Sequence, residues 1–317
     1  MIAATEEEKK FYGGNVEIVT RSADSTVYRI RNLFGDAVMT TYQVFPGIQL
    51  TYNDVDTQEC SIEHAETGNI MEINHCREGR IECAFKDEYL YLSKGDVAIN
   101  RKDDAAHDSY FPGGRYSGIT IVIDTAYAPN SLSCFLEDVN VELSALSRKF
   151  CSGSECCVMR SKPCLEHIFS ELYAVPSSIR KGYYKVKVLE LLLFLSGMDI
   201  DPAPQKYYTG AQVQLAKQVC RFITAHLDAH ITIEQLAAIF HVSATQLKTS
   251  FKGVYGDSVY AYTRTQKMQA AASFLSKTDQ NVMEIAGKVG YDNGSKFARA
   301  FRDVMGVSPK KYREQSS

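Results

Sequence analysis

The sequence predicts an α+β, multidomain chain. It has a β-rich N-terminal domain, a helical middle segment, and an all-α C-terminal domain of two helix-turn-helix units joined by a long helix. Three observations predict it. Short apolar runs punctuated by turn residues fill the first 125 or so positions. After Ser131 the apolar spacing shifts to the helical period. The last third of the chain repeats itself. At 317 residues the chain is long enough for two compact domains and a connector, with expected boundaries 1–130, 131–204 and 205–317.

The N-terminal runs are Val38 to Val44, Ile70 to Ile73, Ile81 to Phe85, Tyr89 to Leu92, Val97 to Ile99 and Ile119 to Ile123. Pro46-Gly47, Gly68-Asn69, Glu78-Gly79, Lys94-Gly95-Asp96 and Pro112-Gly113-Gly114 separate them. Many short strands with regular turns favour a sandwich or barrel over a parallel sheet. In the middle segment Leu165, Ile168, Phe169 and Leu172 form one helical stripe. Val186, Leu189, Leu192, Leu193 and Leu195 form another, on a helix that is either a pairing face or a core element. Asp201-Pro202-Ala203-Pro204 breaks that helix and marks the linker.

In the C-terminal repeat, Leu236 and Ile285 lie 49 apart, as do Ala237 and Ala286, Phe240 and Val289, and Val242 and Tyr291. One inserted residue later the offset is 50, pairing Leu247 with Phe297, Phe251 with Phe301, Gly256 with Gly306, Ser258 with Ser308 and Tyr262 with Tyr312. Each copy spells helix, tight turn, helix. Capping boxes open the helices at Thr232-x-x-Gln235, Ser243-x-x-Gln246 and Asn281-x-x-Glu284, and Asp292 or Asn293 caps the last. Gly290 suits a left-handed turn. Between the copies, Ser258 to Leu275 reads as one helix. Its 18 residues span roughly 27 Å, enough to place two reading helices about one DNA turn apart.

Charge separates the same regions. Residues 206–317 carry 15 Lys and Arg against 8 Asp and Glu, a net of +7. The preceding residues carry 20 against 30, a net of −10. A basic third on an acidic body points to a polyanion partner for that third alone.

From Ile231 to Tyr312 the sequence resembles the DNA-binding domain of the AraC/XylS family of transcription regulators. The resemblance rests on Lys267-Met268-x-x-Ala271-x-x-x-Leu275, Ile285-Ala286-x-x-Val289-Gly290-Tyr291, Phe297-x-x-x-Phe301 and Gly306-Val307-Ser308-Pro309-x-x-Tyr312-Arg313. Lys267 stands where Arg is common in the family, and Gly294 where a polar contact residue is common. A glycine there lets the backbone approach DNA closely. The resemblance implies a cupin-like N-terminal β-barrel that senses a small-molecule effector, homodimerisation through the 165–198 helices, double-stranded promoter DNA as target, and RNA polymerase as a partner. It favours activation.

Outward positions of the second helices assign the DNA contacts. Arg299 is the best base reader, since its fork grips guanine O6 and N7 together. Thr245, Lys248, Thr249, Ser295 and Lys296 complete the outward faces. Lys252, Arg302, Lys310, Lys311 and Arg313 suit phosphates, assisted by Arg264 or Lys267. Tyr42, Arg77, Tyr89, Arg101, His107 and Tyr110 are the polar candidates for an effector pocket, His107 at a place the resemblance marks as a pocket edge.

Catalytic signatures are missing. The sequence has no His-x-His, G-x-S-x-G, phosphate loop or Gly-rich nucleotide fingerprint, so no catalytic residue, metal or cofactor is expected. Cys151, Cys156, Cys157 and Cys164 fall within fourteen residues but form no C-x-x-C knuckle. Nine cysteines, an acidic start without a leader pattern and no membrane-length apolar run favour a cytoplasmic protein. Two rivals stay open: a cupin-like metal enzyme with a DNA-binding tail, and a DNA-binding protein that answers to no effector.

Overall fold

Period-two alternation gives each N-terminal strand two unlike faces, and these faces build two separate cores. The computed structural model describes residues 3–32, 35–61, 69–85, 88–101, 108–128, 141–151, 156–199 and 206–316. The chain divides into two units, residues 1–207 and 208–317.

In chain order the strands of the first unit are β1 (Val16–Arg21), β2 (Ser25–Asn32), β3 (Gly35–Phe45), β4 (Ile48–Asp56), β5 (Glu59–Ser61), β6 (Ile70–Gly79), β7 (Ile81–Phe85), β8 (Glu88–Leu92), β9 (Val97–Arg101), β10 (Asp108–Tyr110), β11 (Tyr116–Asp124) and β12 (Cys157–Met159). Eight of them form one antiparallel sheet in the order β1-β2-β3-β4-β11-β6-β9-β12. Among the described residues no ladder joins the edge strands β1 and β12, so the sheet is open rather than a hydrogen-bonded ring. Two further antiparallel pairs, β5–β10 and β7–β8, accompany it.

One face of the sheet is covered by helices α2 (Leu143–Phe150), α3 (Pro163–Leu172) and α4 (Arg180–Gly197), which follow the N-terminal α1 (Glu6–Tyr12). Ile48, Leu50, Ile73, Ile99, Ile119 and Ile121 meet Ile168, Phe169, Leu191 and Leu192 there. Each large side chain so buried contributes roughly 1.5–3 kcal/mol, which makes the helical layer integral to this unit. Within the 131–204 segment, expected as a helical linker and dimerisation segment, the described residues supply α2–α4 and the edge strand β12 to the core of the first unit. The opposite face packs Ile18, Tyr28, Ile30 and Met39 together with Leu90 and Leu92 of β8 and Phe111, which follows β10.

Two details fix the helical layer on the sheet. Asp96, in the turn after Gly95, accepts from the Ser93 amide at 2.8 Å and from the Arg160 guanidinium at 2.5 Å, tying the β8–β9 turn to the end of β12. His75 stacks on Phe169 with 4.2 Å between ring centroids, and its Nδ1 lies 3.2 Å from the Tyr173 hydroxyl. Burial holds its pKa down at about 4.

The second unit is helical: α5 (Gly210–Ala225), α6 (Ile233–Ile239), α7 (Ala244–Tyr255), α8 (Val259–Lys277), α9 (Val282–Lys288), α10 (Gly294–Met305) and α11 (Pro309–Ser316). Leu236, Leu247, Phe251, Val254 and Tyr262 are buried in the first helix-turn-helix. Met268, Ala271, Ile285, Ala286, Phe297 and Phe301 form the core of the second. Helix α8 contributes to both. No helix among the described residues is long and apolar enough to cross a membrane.

Candidate nucleic-acid interface

The two helix-turn-helix units are capped alike. Thr232 and Asn281 each form a full capping box, with Gln235 and Glu284 returning to the cap amide at 2.8 and 3.0 Å. Ser243 and Asn293 cap the second helices by accepting from the Gln246 and Lys296 amides at 3.1 and 3.0 Å. Gly256 and Gly306 end those helices in the left-handed conformation, φ 83° and 77°. The turns also correspond. Gly290 has φ 72°, and His241, 49 positions earlier, has φ 55°, a left-handed backbone uncommon outside glycine, though histidine adopts it more often than most residues.

These caps set the rotation of α7 and α10. In α7, Leu247, Ser250, Phe251 and Val254 turn inward, leaving Thr245, Lys248, Thr249 and Lys252 exposed. In α10, Phe297, Ala300 and Phe301 turn inward, leaving Ser295, Lys296, Arg299 and Arg302 exposed. Lys310 and Lys311 are exposed in the first turn of α11, where cations oppose the helix dipole and so gain nothing from the helix itself. Each second helix thus presents short hydroxyls near its start and cations along its outer face.

Three residues expected near DNA have other duties. Lys267 is 7% exposed, and its ammonium donates to the Ala229 carbonyl at 3.1 Å. Burial lowers its pKa, partly offset by Asp228. A carbonyl at the α5–α6 turn, 38 residues away, holds this cation, so it is not free to grip phosphate. Arg264 pairs with Asp303 of α10 at 2.5 Å, and Arg313 donates to the Gln280 carbonyl. At Gly294 an added Cβ would stand 2.4 Å from the Met283 sulfur. Its smallness accommodates Met283 rather than a DNA backbone.

Among the described residues the effector candidates do not all converge on one pocket. Tyr42 lies on the helix-covered face, accepting from Arg180 at 3.2 Å and packing edge-on to Tyr184. Arg77 sits over the Tyr173 ring at 4.5 Å. Arg101 is exposed beside Ser147 of α2 at 3.5 Å. Tyr89 is offset by one residue from Leu90, which fills the opposite core, so strand parity turns it away. Tyr110 is buried on β10, and His107 lies outside the described residues.

A different polar row crosses the face opposite the helices. Asn53 donates to Thr120 at 2.8 Å, Thr120 to Asn74 at 2.8 Å, and Asn74 to Asn100 at 3.2 Å. All four are half-buried, as is Glu72, one step along β6 on the same face. Tyr12 of α1 reaches Thr41 at 3.0 Å, and Thr41 reaches Thr51 at 2.9 Å, extending the row. The sequence signal is the alternation of polar residues at 72, 74 and 120 with the buried Met71, Ile73, Ile119 and Ile121, and of Thr51 and Asn100 with the buried Leu50 and Ile99. Of the clustered cysteines, Cys151 and Cys156 are buried and Cys157 and Cys164 half-buried. Among the described residues no three His, Cys, Asp or Glu side chains gather as a metal site would require.

Comparison with known proteins agrees with the helical geometry. Residues 236–315 match the family described as a helix-turn-helix domain. The chain is 32% identical over 94 residues to the MmsAB operon regulatory protein of Pseudomonas aeruginosa, covering 30% of this chain and 31% of that protein. It is 30% identical over 98 residues to the arabinose operon regulatory protein of Salmonella typhimurium, covering 31% and 35%. Across four such curated relatives the matched stretch spans 15% to 37% of their own length. Among solved structures, the C-terminal domain of AraT from Geobacillus stearothermophilus is 32% identical, with a TM-score of 0.31, covering 32% of this chain and 84% of that one. The C-terminal region is a helix-turn-helix domain of the AraC/XylS type, and its relatives are regulators of that family.

Proposed function

We propose that this chain is a sequence-specific DNA-binding regulator of transcription that inserts α7 and α10 into successive major grooves. One observation carries this reading: two like-capped units each expose a cationic second helix while burying its aromatic face. Thr245, Lys248, Thr249, Ser295, Lys296 and Arg299 face the bases. Lys252, Arg302, Lys310 and Lys311 hold phosphates. The N-terminal unit, read as cupin-like, senses a small effector in the cytoplasm. Its half-buried row of Asn53, Thr120, Asn74 and Asn100 offers neutral donors and acceptors better suited to that role than the scattered residues around Tyr42. Val186 and Leu193, exposed on α4 at helical spacing, supply an apolar face for homodimerisation. Activation through RNA polymerase is the favoured output.

Selection of duplexes from a random pool by the full chain, at two salt concentrations, tests the reading. Enrichment of a motif with two half-sites about one turn apart is the expected result. Retention of all sequences alike would reduce the chain to a nonspecific polycation binder.

A further inference from the structure

Lys267 touches both helix-turn-helix units at once. Its ammonium donates to Ala229 in the α5–α6 turn of the first unit and lies 5.8 Å from the centre of the Tyr291 ring in the second. It would stand 2.8 Å from a Cβ at Gly290, and the Asp228 carbonyl would stand 2.4 Å from the same atom. The turn of the second unit is therefore seated against the turn of the first, with this one buried cation at the joint. Elsewhere the two units have separate cores on either side of α8.

We propose that Lys267 is a positioning residue that locks the two units at one separation and rotation, so that DNA recognition demands one spacing between half-sites. An α-helix alone would leave each unit free to rock about its end of α8. A buried ammonium bonded across the joint removes that freedom, because any rocking leaves a desolvated cation and a desolvated carbonyl without partners. A lock of this kind acts on spacing rather than on any base. One inserted base pair shifts the second half-site by about 3.4 Å and turns it by about 34°. A rigid pair of helices rejects that change, whereas a loosened pair follows it.

The inference rests on the reading that both units engage one duplex, and the test separates the two. Labels placed through an encoded keto amino acid at exposed Ile239 and Met283 report the distance between units in the free, full-length protein. The expected result is a narrow distribution in the native chain, a broad one in Lys267→Met and a narrow one again in Lys267→Arg, which restores the donor. The same three proteins are then titrated with the duplex selected by the native chain and with that duplex carrying one inserted base pair. The preference for the uninserted duplex should fall at least about fivefold in Lys267→Met and return in Lys267→Arg. A distribution equally narrow in Lys267→Met overturns the lock. A broadened distribution with native spacing preference overturns its role in recognition. A native chain that selects no duplex overturns the DNA reading, and the distances still judge the lock itself.

Discussion

Replacing Gly290 by alanine tests whether the turn of the second unit is held by contact or only by backbone shape, and Gly306 supplies the control. Both glycines are left-handed, at φ 72° and 77°. An alanine in that region costs roughly 1–2 kcal/mol, offset by about 0.4–1 kcal/mol because alanine has less freedom to lose on folding. At Gly306 nothing lies within 4 Å of the added carbon, so Gly306→Ala should cost about 0.5–1 kcal/mol. At Gly290 the carbon meets the Asp228 carbonyl at 2.4 Å and Lys267 Nζ at 2.8 Å. The ammonium can swing aside, but only by leaving Ala229, and the carbonyl belongs to a turn that must move bodily. Overpacking of this kind adds roughly 1–3 kcal/mol, so Gly290→Ala should cost about 2–4 kcal/mol. Hydrogen exchange at the α9 and α10 amides of the full chain under increasing urea reads the free energy of this unit directly. Equal losses in the two variants would refute the close approach of the turns.

Three further outcomes are expected. Arg299→Ala should lower affinity for the selected duplex by roughly 1–3 kcal/mol while leaving random duplexes nearly unchanged in a competition titration; an equal loss on both would assign Arg299 to phosphate. His241→Gly should raise the melting temperature, with a net gain of about 0.5–1 kcal/mol from relieving the left-handed side chain, and a lower melting temperature would contradict that strain. His75 is held neutral by burial, with its pKa lowered from 6.5 to about 4, so the unfolded chain binds its proton first. Its contribution is complete above pH 6.5 and is lost as pH falls toward 4, about 3 kcal/mol in all. Urea midpoints across that window should flatten in His75→Gln, and an unchanged slope would place the titration elsewhere.

What was legible in the sequence follows from the range of the forces involved. In the C-terminal unit the caps, turns and apolar stripes lie within four residues of one another, so Thr232, Asn281, Leu247 and Phe297 announce their roles locally. Lys267 gave no such sign. Its partner is a carbonyl 38 positions earlier, and along the chain it is one more cation in a basic region. The N-terminal residues failed for a different reason. On a strand, function depends on which face a side chain takes, and that parity resets at each irregularity, as at Val44 between Gln43 and Phe45 on β3 and at Arg77 between Cys76 and Glu78 on β6. Tyr42 and Arg101 looked like pocket residues by chemistry, but they sit on the face that α2 and α4 cover. The less conspicuous Asn74 and Thr120 sit on the other. Chemical character proposes a site residue; in a sheet, register disposes of it.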